Sequence, residues 1–239
     1  MICTGTLINT ASIIASGLIG IFCGRFMKER YRDTVLAACG VCIMFIGIAG
    51  AMEGMLAISD GKIVSGQSML VVACYAIGAL IGEIIDFENI FERFGEWLKA
   101  KSGSSSDSGF VDAFVTASLT VCVGAMGIMG SIEDGINGDY SILAVKAMID
   151  FVLILVMTGS MGKGCAFSAI PVFLCEGTMT LLASCLKPFM TELALSYISM
   201  IGSIMIFCIG MNLVFGKRIR VANLLPALVV VVIAALVQG

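Results

Sequence analysis

Asp150 stands inside an apolar run over 142–161, and Lys146 precedes it by four residues. On a helix that spacing lets the two side chains meet. A carboxylate at membrane depth costs a few kcal/mol even on insertion scales, so it needs a partner, a proton or water. One reading is a local ion pair that lowers the insertion cost. The other is an ion or proton site facing a cavity. Glu176 lies near the middle of a second run, 166–185, beside Gly177 and after Pro171. Proline removes a backbone donor and bends a helix, which frees carbonyls. A carboxylate beside freed carbonyls resembles a cation site. The plainer reading is a protonated glutamate bonded to a neighbouring helix. Asn9, Asn212 and Asn223 are buried amides by position. Amides bond between helices as readily as they bind solutes. Asn223 precedes Leu224, Leu225 and Pro226, which suits a bent mouth of a span.

Other chemistries find little support. Histidine is absent, which removes the commonest metal ligand and an easy proton shuttle. Cys39-Gly40-Val41-Cys42 has C-x-x-C spacing but sits in an apolar run, where a thiol is inert. The ten cysteines lie almost wholly in such runs, against a secreted disulfide framework. No phosphate-cradling loop or nucleophile elbow is present. Net charge is −3 and no basic cluster of nucleic-acid size occurs, so no nucleic acid is expected as a partner. No cofactor or metal is expected. An enzyme acting on lipid would have only Glu83 and Asp86, at the end of a span, to work with.

The elements that position these residues are membrane spans. Apolar residues make up 59% of the 239 and charged residues only 13%, about half the usual share. A soluble fold cannot hide that much apolar surface. The longest polar stretch, 86–109, is too short to fold alone, so 1–239 reads as one all-α membrane domain. Residues 1–24 lack a basic leader and a small-residue cleavage site, and read as a retained span. Eight runs approach the length a span needs: 5–24, 34–52, 67–85, 110–130, 142–161, 166–185, 195–215 and 221–238. Glycine and polar residues at 158–168 interrupt the fifth and sixth, where a re-entrant pair is the alternative.

With the N-terminus outside, eleven basic residues fall inside: Arg25, Lys28, Arg30, Arg32, Arg93, Lys99, Lys101, Lys163, Lys217, Arg218 and Arg220. Three fall outside: Lys62, Lys146 and Lys187. That bias obeys the positive-inside rule and puts the acidic loop 133–139 outside. Residues 86–101 carry Phe87, Ile90, Phe91, Phe94, Trp97 and Leu98 at helical spacing, an amphipathic helix on the inner surface. Ser102–Ser108 reads as a flexible linker.

A shift of 80 pairs Ala37 with Ala117, Cys42 with Cys122, Gly47 with Gly127 and Glu53 with Glu133. Leu18-Ile19-Gly20 likewise echoes Leu80-Ile81-Gly82, so spans 1–2 read as a copy of spans 3–4. The seventh span also echoes the second, in the opposite direction, as inverted repeats of transporters do. Gly20 with Gly24, Gly47 with Ala51 and Gly78 with Gly82 have the small-residue spacing that lets helices pack closely. Gly124-Ala125-Met126-Gly127 and 158–162 are candidate broken-helix segments.

Several stretches together resemble one family. They are Gly5-Thr6-Leu7-Ile8-Asn9, Gly17–Gly20 with Glu29-Arg30, Gly124–Ser131, Lys146–Asp150, Ala166–Pro171 and Ile219–Leu228. In these the chain resembles the YdfK/YqgA-like bacterial membrane proteins, domain of unknown function 554 (DUF554), over its whole length. The resemblance implies a multi-span protein of the bacterial inner membrane. It marks Asn9, Lys146, Asp150, Pro171, Asn212 and Asn223 as characteristic positions. At Glu176 it implies an amide, which moves the first choice for an essential acid to Asp150.

The expectation is a small secondary transporter or channel, a homodimer in the lipid bilayer, moving a small solute or ion. Asp150 would bind a cation or proton, Lys146 would tune it, Asn9, Asn212 and Asn223 would line the path, and Glu176 is a further candidate binding residue. The alternative is a structural or accessory membrane protein that assembles with a partner.

Overall fold

The computed structural model describes residues 3–24, 26, 28–59, 62–104 and 107–238, with side chains for all of these but 29, 32, 57–59 and 238. Arg25, Ser105 and Ser106 therefore lie outside the described residues, as do the side chains of Glu29 and Arg32. In chain order the helices are α1 (Thr4–Gly24), α2 (Glu29–Met55), α3 (Ser68–Ile85), α4 (Phe87–Lys101), α5 (Phe110–Cys122), α6 (Ala125–Asn137), α7 (Ser141–Met161), α8 (Ala169–Leu181), α9 (Ala183–Leu186), α10 (Glu192–Phe215) and α11 (Pro226–Gln238). Short 3-10 turns precede α8 (Lys163–Ser168) and α11 (Val221–Leu224). The fold is an all-α polytopic membrane bundle. Its one sheet among the described residues is a hairpin of β1 (Leu56–Ser59) and β2 (Lys62–Ser65), in register Leu56 opposite Ser65.

Among the described residues six helical stretches are long and apolar enough to cross a membrane, and a bent pair, taken as one span, brings the number to seven. That pair is α5 and α6, broken at Val123-Gly124 and bent by 62°. Val221–Val237 is apolar but shorter. The interruption expected at 158–162 begins only at Gly162, where φ is 106° and α7 ends. Residues 158–161 stay helical. Chain ends of helices follow local chemistry. The Thr191 hydroxyl accepts from Ala194 N and caps α10. At α7, the exposed Asp139 carboxylate accepts from Ser141 Oγ and from Ser141 N, which holds its pKa below the ordinary value.

The chain folds as two compact units, each drawn from separate stretches. The first comprises Met1–Cys39 and Asn89–Lys187, the second Gly40–Glu88 and Pro188–Gly239.

In the first unit α1 lies parallel to α7. Gly5 packs on Leu143, Gly17 on Ala166 of the 3-10 turn, Gly20 on Thr158, and Gly24 on the Gly159 backbone. The Ser12 hydroxyl donates to the Ala147 carbonyl across this seam. Helix α5 sits on the turn before α8, where Gly164 meets the Phe110 carbonyl. Among these helices lies an apolar cluster of Ile13, Ala113, Ala117, Val121, Ile154, Met157, Cys165, Ala169 and Val172. Amphipathic α4 joins through Phe94, whose ring meets Phe114 edge-on. Within the serine linker Ser104 is buried and its hydroxyl accepts from Lys163 Nζ.

In the second unit α2 runs antiparallel to α10. Gly40 packs on Leu213 and Val214, Gly47 on Ser203 and Phe207, and Gly54 on Met200. Helix α3 runs along α11 and its preceding turn, with Gly78 on Ala227 and Gly82 on the Asn223 backbone. The Tyr75 hydroxyl donates to the Ile201 carbonyl. The glycines among the small-residue positions expected from the sequence, Gly20, Gly24, Gly47, Gly78 and Gly82, are thus helix contacts. The sequence echo between spans does not extend to helix course: Met44 lies within unbroken α2, while its counterpart Gly124 marks the break.

Candidate functional site

Four of the six singled-out residues converge in the first unit. Asn9 comes from α1, Lys146 and Asp150 from α7, and Glu176 from α8. All four are buried. Lys146 and Asp150 form an ion pair along α7 at the expected i,i+4 spacing. Lys146 Nζ also lies 3.5 Å from Glu176 Oε1. Asn9 Nδ2 donates to both acids, to Asp150 Oδ2 at 3.1 Å and to Glu176 Oε1 at 2.8 Å. With every group ionised the cluster carries one positive and two negative charges, a net −1.

The break between α5 and α6 completes the site. In an unbroken helix the Val121 carbonyl would accept from Ala125 N. The break leaves it free, and Lys146 Nζ donates to it at 2.8 Å. A cation beside the C-terminal end of a helix is favourably placed. Gly124 permits the break, with φ 151° and ψ 150°, a region essentially reserved to glycine. Gly127 brings the α6 backbone against the cluster, since a Cβ there would lie 3.4 Å from Lys146 Cε and 3.8 Å from Glu176 Oε1.

Two acceptors are left over. Asn9 Oδ1 and Glu176 Oε2 are buried and have no hydrogen-bond partner. Buried polar atoms are nearly always paired, so each such atom calls for an explanation. Among the described residues no three His, Cys, Asp or Glu groups gather as metal ligands. The donor set is therefore two carboxylates with an ammonium between them. It suits a proton or a monovalent cation better than a divalent ion, which the lysine would repel.

Three expectations change. Lys146 is buried inside α7 and does not belong with the loop charges, so it drops out of the charge comparison between the two sides. Pro171 stands in the first turn of α8, where its missing N–H is not needed by the ladder, and Glu176 meets side chains, not carbonyls freed by proline. The stretch 133–139 is only partly a loop: Glu133–Asn137 belong to α6, and Asp134 is fully buried.

Asn212 and Asn223 do not join the cluster. They belong to the second unit and bond within it. Asn212 Oδ1 accepts from Arg218 N and Ile219 N at 2.9 and 3.0 Å, and its Nδ2 donates to Ile219 O at 2.7 Å. This clamps the chain where it leaves α10. Losing these bonds leaves backbone groups unpaired, so Asn212→Ala should lower stability by about 1–3 kcal/mol. Unfolding in mixed micelles checks this, and a change below about 0.5 kcal/mol would refute the clamp. Asn223 Oδ1 accepts from Glu88 N at 2.7 Å, and its Nδ2 donates to Glu83 Oε1 at 2.9 Å. Glu83 also pairs with Arg220 at 3.1 Å, and Glu88 with Lys217 at 2.9 Å. Glu83 and Asp86, the pair an enzyme reading would need, both face Arg220.

Residues 4–236 match the family described as "Protein of unknown function (DUF554)". The chain is 28% identical over 226 residues to "Uncharacterized membrane protein YdfK" of Bacillus subtilis (strain 168), covering 95% of this chain and 93% of that one. It is 24% identical over 228 residues to "Uncharacterized protein YqgA" of Escherichia coli (strain K12), covering 94% and 92%. No solved structure matches. A match over nearly the whole length, to a family with a membrane protein among its members, fits a multi-pass chain whose acids sit inside its helices, and the protein belongs to the DUF554 family.

Proposed function

We propose that the protein is a small secondary transporter or channel of the bacterial inner membrane, with Asp150 and Glu176 as its cation or proton site. The observation that carries this reading is the pair of unpartnered buried acceptors, Asn9 Oδ1 and Glu176 Oε2, in a cluster of two carboxylates and one ammonium. A purely structural ion pair would be expected to satisfy its own oxygens. A broken helix that offers a backbone carbonyl at the same point is a further trait of membrane ion sites. Lys146 tunes the site by neutralising one carboxylate, and Asn9 holds the two acids in register. The basic residues at 28–32, 93–101, 163 and 217–220 support an outside N-terminus.

The test is current from purified protein in liposomes on a solid-supported membrane, with jumps of pH, Na⁺, K⁺ and pooled small solutes. Wild type should respond to at least one jump, and Asp150→Asn should reduce that response by about tenfold or more. Correctly folded wild type silent under every jump would sink the reading and leave the accessory role, to be pursued by capture of a membrane partner.

A further inference from the structure

The central cluster is not the only unsatisfied polar feature of the first unit. Asp134, on α6, is completely buried. Its Oδ2 accepts from Gly5 N at 3.0 Å, while its Oδ1 has no partner. Ser131, one turn earlier on the same face of α6, is also fully buried and its hydroxyl is unpartnered. Beside them Thr6 and Thr180 share a hydroxyl contact of 3.3 Å, and Thr180 Oγ1 donates to the Glu176 carbonyl. Gly135 brings α6 against the Thr180 backbone, and Gly5 stands one helical turn before Asn9 on α1. These groups lie between the Gly138 end of α6 and the turn of α1 and α8 that carries Asn9 and Glu176.

The opposite direction differs. One turn beyond Asn9 comes Ile13, one turn beyond Asp150 comes Ile154, and one turn before Glu176 comes Val172. All three belong to the apolar cluster. The turn next to the acids is thus polar on the Gly138 side and apolar on the other, where the next buried polar groups, the unpartnered hydroxyls of Thr158 and Ser168, come only beyond that apolar turn.

We propose that Asp134, with Ser131, Thr6 and Thr180, forms the access route by which a proton or monovalent cation reaches Asp150 and Glu176 from the Gly138 end of α6. This rests on the central acids being a cation site. Asp134 is a staging carboxylate one helical turn away, roughly 6 Å along α1 at 1.5 Å per residue. A fixed negative charge in a low-dielectric wall raises the local concentration of cations and their rate of arrival.

Two readouts on the full-length protein test the route. Equilibrium binding is read as thermal stabilisation in detergent by sodium chloride against choline chloride, and by pH. Transport rate is read as current after the same jumps, so the two arms also tell sodium ion from proton. Asp134→Asn keeps an oxygen to accept from Gly5 N and removes only the charge. It should shift the stabilisation midpoint by less than Asp150→Asn does, through loss of a neighbouring charge, and lower the current by about tenfold. Ser131→Ala removes a hydroxyl with no partner, so it should not destabilise the fold, yet it should also slow the current. Wild-type currents in both variants, with Asp150→Asn inactive, would overturn the route alone. Loss of stabilisation in Asp134→Asn would also overturn it, because Asp134 would then belong to the binding site or the fold. Stabilisation and current both surviving in Asp150→Asn would overturn the central site, and the route with it.

Discussion

Lys146→Met should destabilise the protein by about 3–5 kcal/mol, the usual cost of removing one partner from a buried ion pair. Lys146 is the cation between Asp150 and Glu176, and it also satisfies the Val121 carbonyl. Methionine matches its length but supplies no donor. Asn9 would then be left as a single amide facing two acids. The sign of the coupling separates this account from simple loss of packing. Lys146→Met combined with Asp150→Asn should be less damaged than the sum of the single changes, since the second change removes the stranded charge. Unfolding in mixed micelles gives the four corners of the cycle. Strict additivity would mean that the lysine acts by packing alone.

Gly82→Ala should also cost the second unit dearly, by about 3 kcal/mol, the upper part of the range for overpacking. A Cβ at Gly82 would overlap the Asn223 carbonyl oxygen and come within 2.6 Å of its carbon. The obstacle is backbone, which cannot rotate away. Asn223 in turn holds Glu83 and the Glu88 N–H, so the displacement passes to the start of α4. Gly66→Ala is the internal control, because a Cβ there meets nothing within 4 Å. It should change stability by less than about 0.5 kcal/mol. Equal losses at the two positions would show that helix approach is not what Gly82 provides.

The spans were legible in the sequence because about twenty apolar residues in a row have few other uses. Phe87–Lys101 was legible through the helical spacing of its aromatic residues. The hairpin passed unseen, although an Asp-Gly dipeptide flanked by Ile58 and Ile63 is a strong hairpin signal. Hydropathy averaged over twenty residues does not register four-residue strands. In the site, Lys146, Asp150 and Glu176 stood out because charge in an apolar run is expensive, and Asn9 because it interrupts one. Their convergence was not legible, since nothing in the chain says that α1, α7 and α8 share a face. The Val121 carbonyl has no side-chain signature at all. It is a consequence of Gly124, which the sequence marked only as a possible break. Acids crowd around Asp134, and in sequence that crowding looks like a loop. The recurrence of Gly127, Gly130, Ser131 and Asp134 at helical spacing was the available sign that it faces inward. Asn212 and Asn223 illustrate the converse, since an amide near a span end serves backbone capping as well as it serves a solute.

The apolar cluster from Ile13 to Val172 also has an electrical meaning. A membrane voltage falls mainly across the least polarisable layer it meets. On the proposed route that layer would be the apolar turn of Ile13, Ile154 and Val172 next to the acids. An ion moving between the Gly138 end of α6 and Asp150 would cross little of the field. Passage beyond Ile13 would cross most of it, at up to about 2.3 kcal/mol per charge for each 100 mV. Binding at the acids would then be nearly blind to voltage, and release past Ile13 would carry the voltage dependence of the whole cycle.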